Sequence, residues 1–129
     1  MLIGALAQKT DCEVVTIRYY EKEGLLPEPA RSPNNYRLYD TSHIERLRFI
    51  RHCRSLDMTL AEIRFLLDLQ DRPTQDCSEV ATLLNAHILE VENRIQALLE
   101  LKAHLLDLQS NCSVGESIEN CGILRGLQQ

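Results

Sequence analysis

The chain has 129 residues, 5% aromatic residues and no tryptophan, which suits one compact domain plus an extended element and argues against a large core buried by one monomer. Its net charge of −5 is unusual for a nucleic-acid binder, and no stretch has the ~18 uncharged apolar residues that a membrane span needs. The first residues lack the basic segment and long apolar run of a signal peptide, so we expect a cytoplasmic protein with reduced thiols.

Charge is distributed unevenly along the chain. Residues 1–72 contain 11 basic and 11 acidic residues, whereas residues 73–129 contain 3 basic and 8 acidic residues. Residues 31–54 contain six arginines against two acidic residues, a local excess of +4. This asymmetry fits a DNA-facing head and a dimerising, cation-accepting tail. A solvated surface of mixed charge is the alternative, and charge alone favours it.

Two short helices are predicted at the start of the chain. Apolar positions 3, 6 and 7 share one helical face, and Thr10-Asp11 ends this first helix. A second helix is predicted from about Val14 to Glu23, and Gly24 is expected in the left-handed conformation that ends it. Two short helices joined by a tight turn are the minimal helix-turn-helix pattern.

A wing and three further helices are predicted to follow. The polar segment from Pro29 to Tyr39 has the turn sequence S-P-N-N at 32–35 and is typical of a two-stranded wing. Three capping boxes, each a polar cap followed three residues later by Glu, then predict helix starts near 42, 59 and 76. The pairs are Ser42/Glu45, Thr59/Glu62 and Asp76/Glu79.

The last of these helices, from about Asp76 to about Leu108, is predicted to be long and to need a partner. Its apolar residues recur at alternating spacings of three and four, the pattern of a coiled coil. The seam positions are Leu84, His87, Val91, Arg94, Leu98, Leu101, Leu105 and Leu108, and the stripe is widened by Ile88, Ile95, Leu99 and Leu106. A single chain would leave this stripe exposed to water, so we predict a dimer.

Three cysteines bracket the long helix. A helix of ~32 residues is roughly 48 Å long, so Cys77 cannot meet Cys112 and Cys121 of its own chain. If two copies of the helix run antiparallel, each helix start lies beside the partner's helix end, and three thiols converge there into a soft-metal site. The place of Cys77 at a helix start favours the thiolate that a metal needs. Three unrelated cysteines are the alternative interpretation.

The motifs of the first half closely resemble the winged helix-turn-helix of the MerR family. They are V-T-I-R-Y-Y-E at 15–21, G-L-L-P at 24–27, Arg31, N-Y-R-L-Y at 35–39 and I-E-R-L-R-F-I at 44–50. The resemblance covers essentially the whole chain, and its cysteine spacing is similar to that of the metal-sensing branch. The surroundings of Cys77 and Cys121 look most like the lead- and cadmium-responsive members.

The fold expected from these patterns and this resemblance is mainly α, in three parts. Residues 1–72 form a winged helix-turn-helix head and residues 76–109 a dimerisation helix in an antiparallel coiled coil. Residues 110–129 form a metal-binding loop and a short terminal helix.

Six residues are predicted to contact DNA. They are Thr16, Arg18, Tyr19, Arg31, Tyr36 and Arg37. The first three lie near the front of the second helix, where side chains enter the major groove or bind phosphates. The resemblance implies that Tyr36 and Arg37 on the wing reach the flanking backbone. Tyr20 and Tyr39 are predicted to fill the core instead.

The resemblance implies a dimeric regulator that senses a soft metal through Cys77 of the partner chain, Cys112 and Cys121. Metal binding would distort a promoter with an overlong spacer, so that RNA polymerase engages it through the DNA. Lead(II) is favoured, since the resemblance implies that lead(II) and mercury(II) accept three sulfurs. Cadmium(II), mercury(II) and zinc(II) are the alternatives, although zinc usually takes four ligands and Asn111 and Ser113 flank Cys112.

Other classes of protein have less support. A metal buffer or chaperone with a vestigial head is the main alternative, and the intact arginine–tyrosine pairs of the head argue against it. An enzyme is not expected, because the sequence has no C-x-x-C motif and no Gly-rich phosphate loop. Cys12 and Cys53 are predicted to be packing residues, and the four histidines are predicted not to bind metal.

Overall fold

The computed structural model describes residues 1–112 and 114–128, and these residues form six α-helices and a two-stranded wing. The helices are α1 (Ile3–Thr10), α2 (Val14–Lys22), α3 (Thr41–Ser55), α4 (Leu60–Gln70), α5 (Ser78–Ser110) and α6 (Gly122–Leu127), and the strands are β1 (Ala30–Arg31) and β2 (Arg37–Leu38). Ser113 and Gln129, both in the predicted C-terminal segment, lie outside the described residues. The chain divides into a head unit, Met1–Val80, and a tail unit, Ala81–Gln129. The mainly α fold is confirmed.

The core of the head unit is formed by apolar residues from α1 to α4. The largest fully buried side chains are Leu6, Ile17, Leu25, Leu47, Ile50 and Ile63. Tyr20 and Tyr39 are 8% and 2% exposed, which confirms that they belong to the core. Cys53 is buried in the same cluster and Cys12 packs against it, as expected of packing residues.

The predicted wing is present as a short antiparallel pair. The paired residues are Ala30 with Leu38 and Arg31 with Arg37. The connecting turn is closed by the N–H of Asn35, which donates to the carbonyl of Ser32 at 2.8 Å. The N–H of Tyr39 donates to the carbonyl of Met1 at 2.8 Å, and the terminal amine of Met1 donates to the Tyr39 carbonyl at 2.7 Å. A pair of two-residue strands has marginal stability by itself, so these hydrogen bonds to the N-terminus help to stabilise the wing.

The start of α3 differs from the prediction. The capping box of Ser42 with Glu45 is wrong, because Asp40 caps the helix two residues earlier and accepts from the Ser42 N–H at 2.9 Å. Hydrogen bonds from the side chain and backbone of Ser42 hold the pKa of Asp40 below its usual value. The buried His43 ring accepts from the Asp40 N–H at 3.1 Å through Nδ1 and donates to the Pro27 carbonyl at 2.9 Å through Nε2. His43 therefore ties the segment before the wing to α3.

The starts of α4 and α5 lie within two residues of the prediction. Thr59 and Glu62 form the predicted capping box, with reciprocal bonds of 3.1 and 3.0 Å. Asp76 accepts from the backbone N–H of Ser78 at 3.0 Å, and α5 begins at Ser78.

The tail unit contains most of α5, a helix of 33 residues that is about 50 Å long. Nine apolar residues of the predicted stripe are each between 39% and 64% exposed in the single chain, namely Leu84, Ile88, Val91, Ile95, Leu98, Leu99, Leu101, Leu105 and Leu106. A contiguous apolar stripe of this length marks a surface that another molecule covers. Among the described residues, no helix is long and apolar enough to cross a bilayer.

Candidate nucleic-acid interface and metal-binding loop

One face of α2 is available to contact DNA. Ile17 and Tyr20 are buried in the head core, and they direct the opposite face of the helix to solvent. Arg18 is exposed on that face beside Tyr19, which is 47% exposed. Thr16 is half-buried, and it lines a cleft of about 350 Å³ with Tyr19. The second helix of a helix-turn-helix presents such a face to the major groove.

The wing brings its predicted residues together with α2. Arg31, Tyr36 and Arg37 are exposed, Tyr36 at 63%. The two wing arginines and Arg18 line one cleft of about 550 Å³, and all four residues line a second cleft of about 310 Å³. Guanidinium and phenol groups are the donors that proteins use to bind DNA phosphates. Four of the six predicted residues therefore form one cationic surface.

Glu21 joins the wing to α2, a role that the sequence analysis missed. Its carboxylate forms an ion pair with Nε of Arg37 at 3.1 Å and accepts from the hydroxyl of Tyr39 at 3.3 Å. Burial and the neighbouring Glu21 charge raise the pKa of Tyr39. A carboxylate three residues after Arg18, within the family motif, was the available signal. Glu21 fixes the direction of Arg37.

Three arginines of α3 bond to backbone carbonyls of the head. Each donates through Nη1 to a backbone carbonyl: Arg46 to Leu25 at 3.2 Å, Arg51 to Thr10 at 2.8 Å and Arg54 to Met58 at 2.9 Å. Thr10 is the last residue of α1, where helical carbonyls lack partners. The arginine excess of residues 31–54 is therefore not a single DNA-facing zone.

Cys112 and Cys121 lie at the two ends of a closed loop in the tail unit. A Cβ added to Gly122 would lie closer than 3.0 Å to the carbonyl oxygen of Asn111 and 3.0 Å from its carbonyl carbon. Only glycine permits this approach of the backbone after Cys121 to the backbone before Cys112. Cys112 is exposed and Cys121 is half-buried. The close approach brings the two cysteine-bearing segments together.

Arg125 braces the segment before Cys121. Its Nη2 donates to the carbonyl of Glu119 at 3.3 Å and to Oδ1 of Asn120 at 3.4 Å. Residues Ile118–Asn120 form a 3₁₀ turn, and the N–H of Cys121 donates to the carbonyl of Ile118 at 3.1 Å. The loop is thus a hydrogen-bonded structure in the described residues.

Cys77 belongs to the head unit and is exposed. It directly precedes α5, one residue before the first helical position, and so lies just outside the first helical turn in which the sequence places it. The side-chain hydrogen bond from Ser78 lowers the pKa of Asp76 beside it. Cys77 is therefore separated in the chain from the closed loop by the whole of α5.

Comparison with known proteins identifies the family. The model of the MerR helix-turn-helix regulatory proteins matches residues 1–70, and the model of the MerR DNA-binding region matches residues 44–108. An HTH-type transcriptional regulator ZntR homolog of Haemophilus influenzae is 46% identical over 109 residues, which cover 84% of this chain and 81% of the relative. The mercuric resistance operon regulatory protein of Bacillus cereus is 35% identical over 127 residues, covering 98% and 96%.

A solved structure is similar over nearly the whole chain. The transcription regulator PbrR691 from Ralstonia metallidurans CH34, crystallised in complex with lead(II), is 53% identical, with a TM-score of 0.91 and 98% of both chains covered. The chain therefore belongs to the MerR family. It is a metal-responsive transcriptional regulator that binds promoter DNA as a dimer, and it is not an enzyme.

Proposed function

We propose that this MerR-family regulator senses lead(II) and activates a metal-resistance promoter. Each site takes Cys77 from one protomer and Cys112 and Cys121 from its partner. The observation that supports this best is the contact that only Gly122 allows, because it closes the loop between the last two cysteines.

The donor set fits a soft divalent cation. Three thiolates on such an ion leave one net negative charge, which a partly exposed site tolerates. Lead(II) and mercury(II) accept three sulfurs, whereas structural zinc is usually held by four ligands. The 53% identity to PbrR691, whose structure contains lead(II), favours lead. Cadmium(II), mercury(II) and zinc(II) are the alternatives, and a 35% identical relative is a mercuric resistance operon regulatory protein.

Two chains are needed to complete each site. The 33 residues of α5, which correspond to about 50 Å of ideal helix, separate Cys77 from the loop along the same chain, whereas a cysteine sulfur binds zinc, for example, at about 2.3 Å. Antiparallel pairing of two copies of α5 covers the exposed stripe and places each helix start beside the partner's loop. The same pairing buries the apolar surface and assembles the ligands.

The output is a change in DNA shape. The proposed contacts are Thr16, Arg18, Tyr19, Arg31, Tyr36 and Arg37 of each head, acting on promoter DNA in the cytoplasm. Metal binds one conformation of the dimer more tightly and so shifts the population towards it. That conformation distorts the promoter spacer, and RNA polymerase then engages both promoter elements through the DNA.

A heterodimer tests whether the ligands come from two chains. One chain carries Cys77→Ser and the other carries Cys112→Ser with Cys121→Ser, and ultraviolet thiolate-to-lead bands are followed during titration with lead(II). Ligands shared across chains leave one complete site in the heterodimer, so it should bind half as much lead as wild type. Neither homodimer should retain a complete site.

Ligands drawn from a single chain would leave no complete site in the heterodimer, and that result would refute the proposal. Cys12→Ser is the matched control, because Cys12 packs against the head core and should not change lead binding. A homodimer of Cys77→Ser with wild-type lead affinity would likewise exclude Cys77 as a ligand.

A further inference from the structure

The solvent-facing side of α2 has one apolar residue that the proposed contacts do not use. Four side chains at helical spacings of three and four are exposed there: Val15, Arg18, Tyr19 and Lys22. Val15 is the only one of the four without a polar atom, and it is 74% exposed. It lies in the first turn of α2, which begins at Val14.

Folding of the head does not explain a valine at this position. Val15 is outside the buried cluster, whereas Ile17 and Tyr20 of the same helix fill it. A β-branched residue is also less favourable in an exposed helix than alanine, lysine or glutamate. A single exposed apolar residue is common on protein surfaces, so its place beside the proposed DNA contacts is what matters.

The chemistry of the major groove supplies a partner for such a side chain. Most groups at base edges there are hydrogen-bond donors or acceptors, and the C5-methyl of thymine is the apolar one. The N-terminal part of a recognition helix is the part that contacts base edges. An isopropyl group in the first turn of α2 matches that methyl group in polarity and reach.

We propose that Val15 contacts the C5-methyl group of a thymine in each half-site and so makes that thymine part of the recognised sequence. This inference rests on the proposed function, in which α2 enters the major groove. Deoxyuridine keeps the hydrogen bonds and charge of thymidine and lacks only this methyl group. Burial of one methyl-sized group corresponds to about a fourfold change in affinity, or roughly 15-fold for both half-sites.

The experiment uses the full-length dimer without metal and a site that wild type selects from a random DNA pool. Symmetric pairs of thymidines are replaced in turn by deoxyuridine, and Kd is measured by fluorescence anisotropy at one salt concentration. For wild type, one pair should weaken binding by roughly 15-fold. Val15→Ala should bind the thymidine and deoxyuridine sites equally. Leu89→Ala, which removes an apolar side chain that is 59% exposed on α5 and outside the predicted stripe, should keep the wild-type difference.

Each outcome distinguishes this inference from the proposed function. If no deoxyuridine pair weakens wild type, or if Val15→Ala keeps the full difference, Val15 does not read a thymine methyl although the protein binds its site. If wild type enriches no sequence from the pool, the proposed regulator function fails, and this inference fails with it.

Discussion

Substitution of Gly122 by alanine should weaken metal binding without unfolding the protein. The added Cβ would come closer than 3.0 Å to the Asn111 carbonyl oxygen, and real Cβ atoms essentially never approach a heavy atom so closely. Because the Asn111 carbonyl belongs to the backbone, it cannot rotate away as a side chain could. The backbone segments at Asn111 and Gly122 must therefore move apart by a sizeable fraction of an ångström. Metal–ligand distances tolerate only about ±0.2 Å, so the separation moves Cys121 away from its bonding position.

The size of the effect follows from the cost of overpacking. Inserting a methyl group into a close contact costs about 1–3 kcal/mol. If the metal-free loop opens to relieve the contact, binding must close it again, and lead affinity falls by roughly 5-fold to 150-fold. Alanine is a better helix former than glycine, so α6 itself should not be lost.

Competition with a chelator of known lead affinity measures the change, and two glycines provide graded controls. A Cβ at Gly4 meets nothing within 4 Å, so Gly4→Ala should bind lead as wild type does. A Cβ at Gly126 lies 3.1 Å from Cδ2 of Leu108, the mobile end of a side chain, so Gly126→Ala should have a small effect. Wild-type lead affinity in Gly122→Ala would show that the closed loop is not the form that binds metal.

Three further predictions concern the head unit. Thr59→Ala removes the cap of α4 and should lower the free energy of unfolding, measured in urea, by about 1 kcal/mol. Thr59→Ser keeps the capping hydroxyl and should leave this free energy unchanged. Equal losses in the two variants would contradict the capping role of Thr59. The pKa of Tyr39 is raised above the ordinary 10.0, so its contribution to the free energy of unfolding is present at lower pH and is lost as the pH rises above 10. Tyr39→Phe should therefore flatten the alkaline decline in stability, measured by circular dichroism. An unchanged decline would contradict this role of the phenol. Arg18→Gln should reduce the slope of the logarithm of the DNA-binding constant against the logarithm of the salt concentration by about 1.8, which is ~0.9 per phosphate contact for two heads. Arg51→Gln should reduce stability and leave that slope unchanged. Equal slopes for the two variants would exclude the phosphate contact of Arg18.

Local patterns were sufficient to predict most of the secondary structure. Helix starts depend on neighbouring residues, so the predicted starts lie within two residues of α3, α4 and α5. Gly24 has the left-handed φ of 75° that its position after α2 predicts, and the S-P-N-N sequence forms the wing turn. The error at α3 arose because histidine can replace glutamate in a capping box: His43 accepts the Asp40 N–H there.

The candidate sites were less predictable, because they depend on which backbone atoms meet across the fold. Nothing local to Arg46 or Arg51 indicates that each reaches a carbonyl 21 or 41 residues away in the chain. The requirement for glycine at position 122 arises only from its contact with Asn111. The three-cysteine ligand set stays a prediction, which rests on the spacing of the cysteines around a long helix.

The net charge of the chain is a poor guide to DNA binding, because it includes residues that do not lie on the DNA-facing surface. The field of an exposed charge is screened within about 8 Å at physiological salt, so the local arrangement of cations decides phosphate binding. Arg18, Arg31 and Arg37 line one cleft together with Glu21 and Glu28, and the Glu21 carboxylate orients Arg37. Three of the four arginines of α3 are bonded to backbone carbonyls of the head. A head with no net charge over residues 1–72 can therefore bind DNA, because folding places Arg18, Arg31 and Arg37 on one surface.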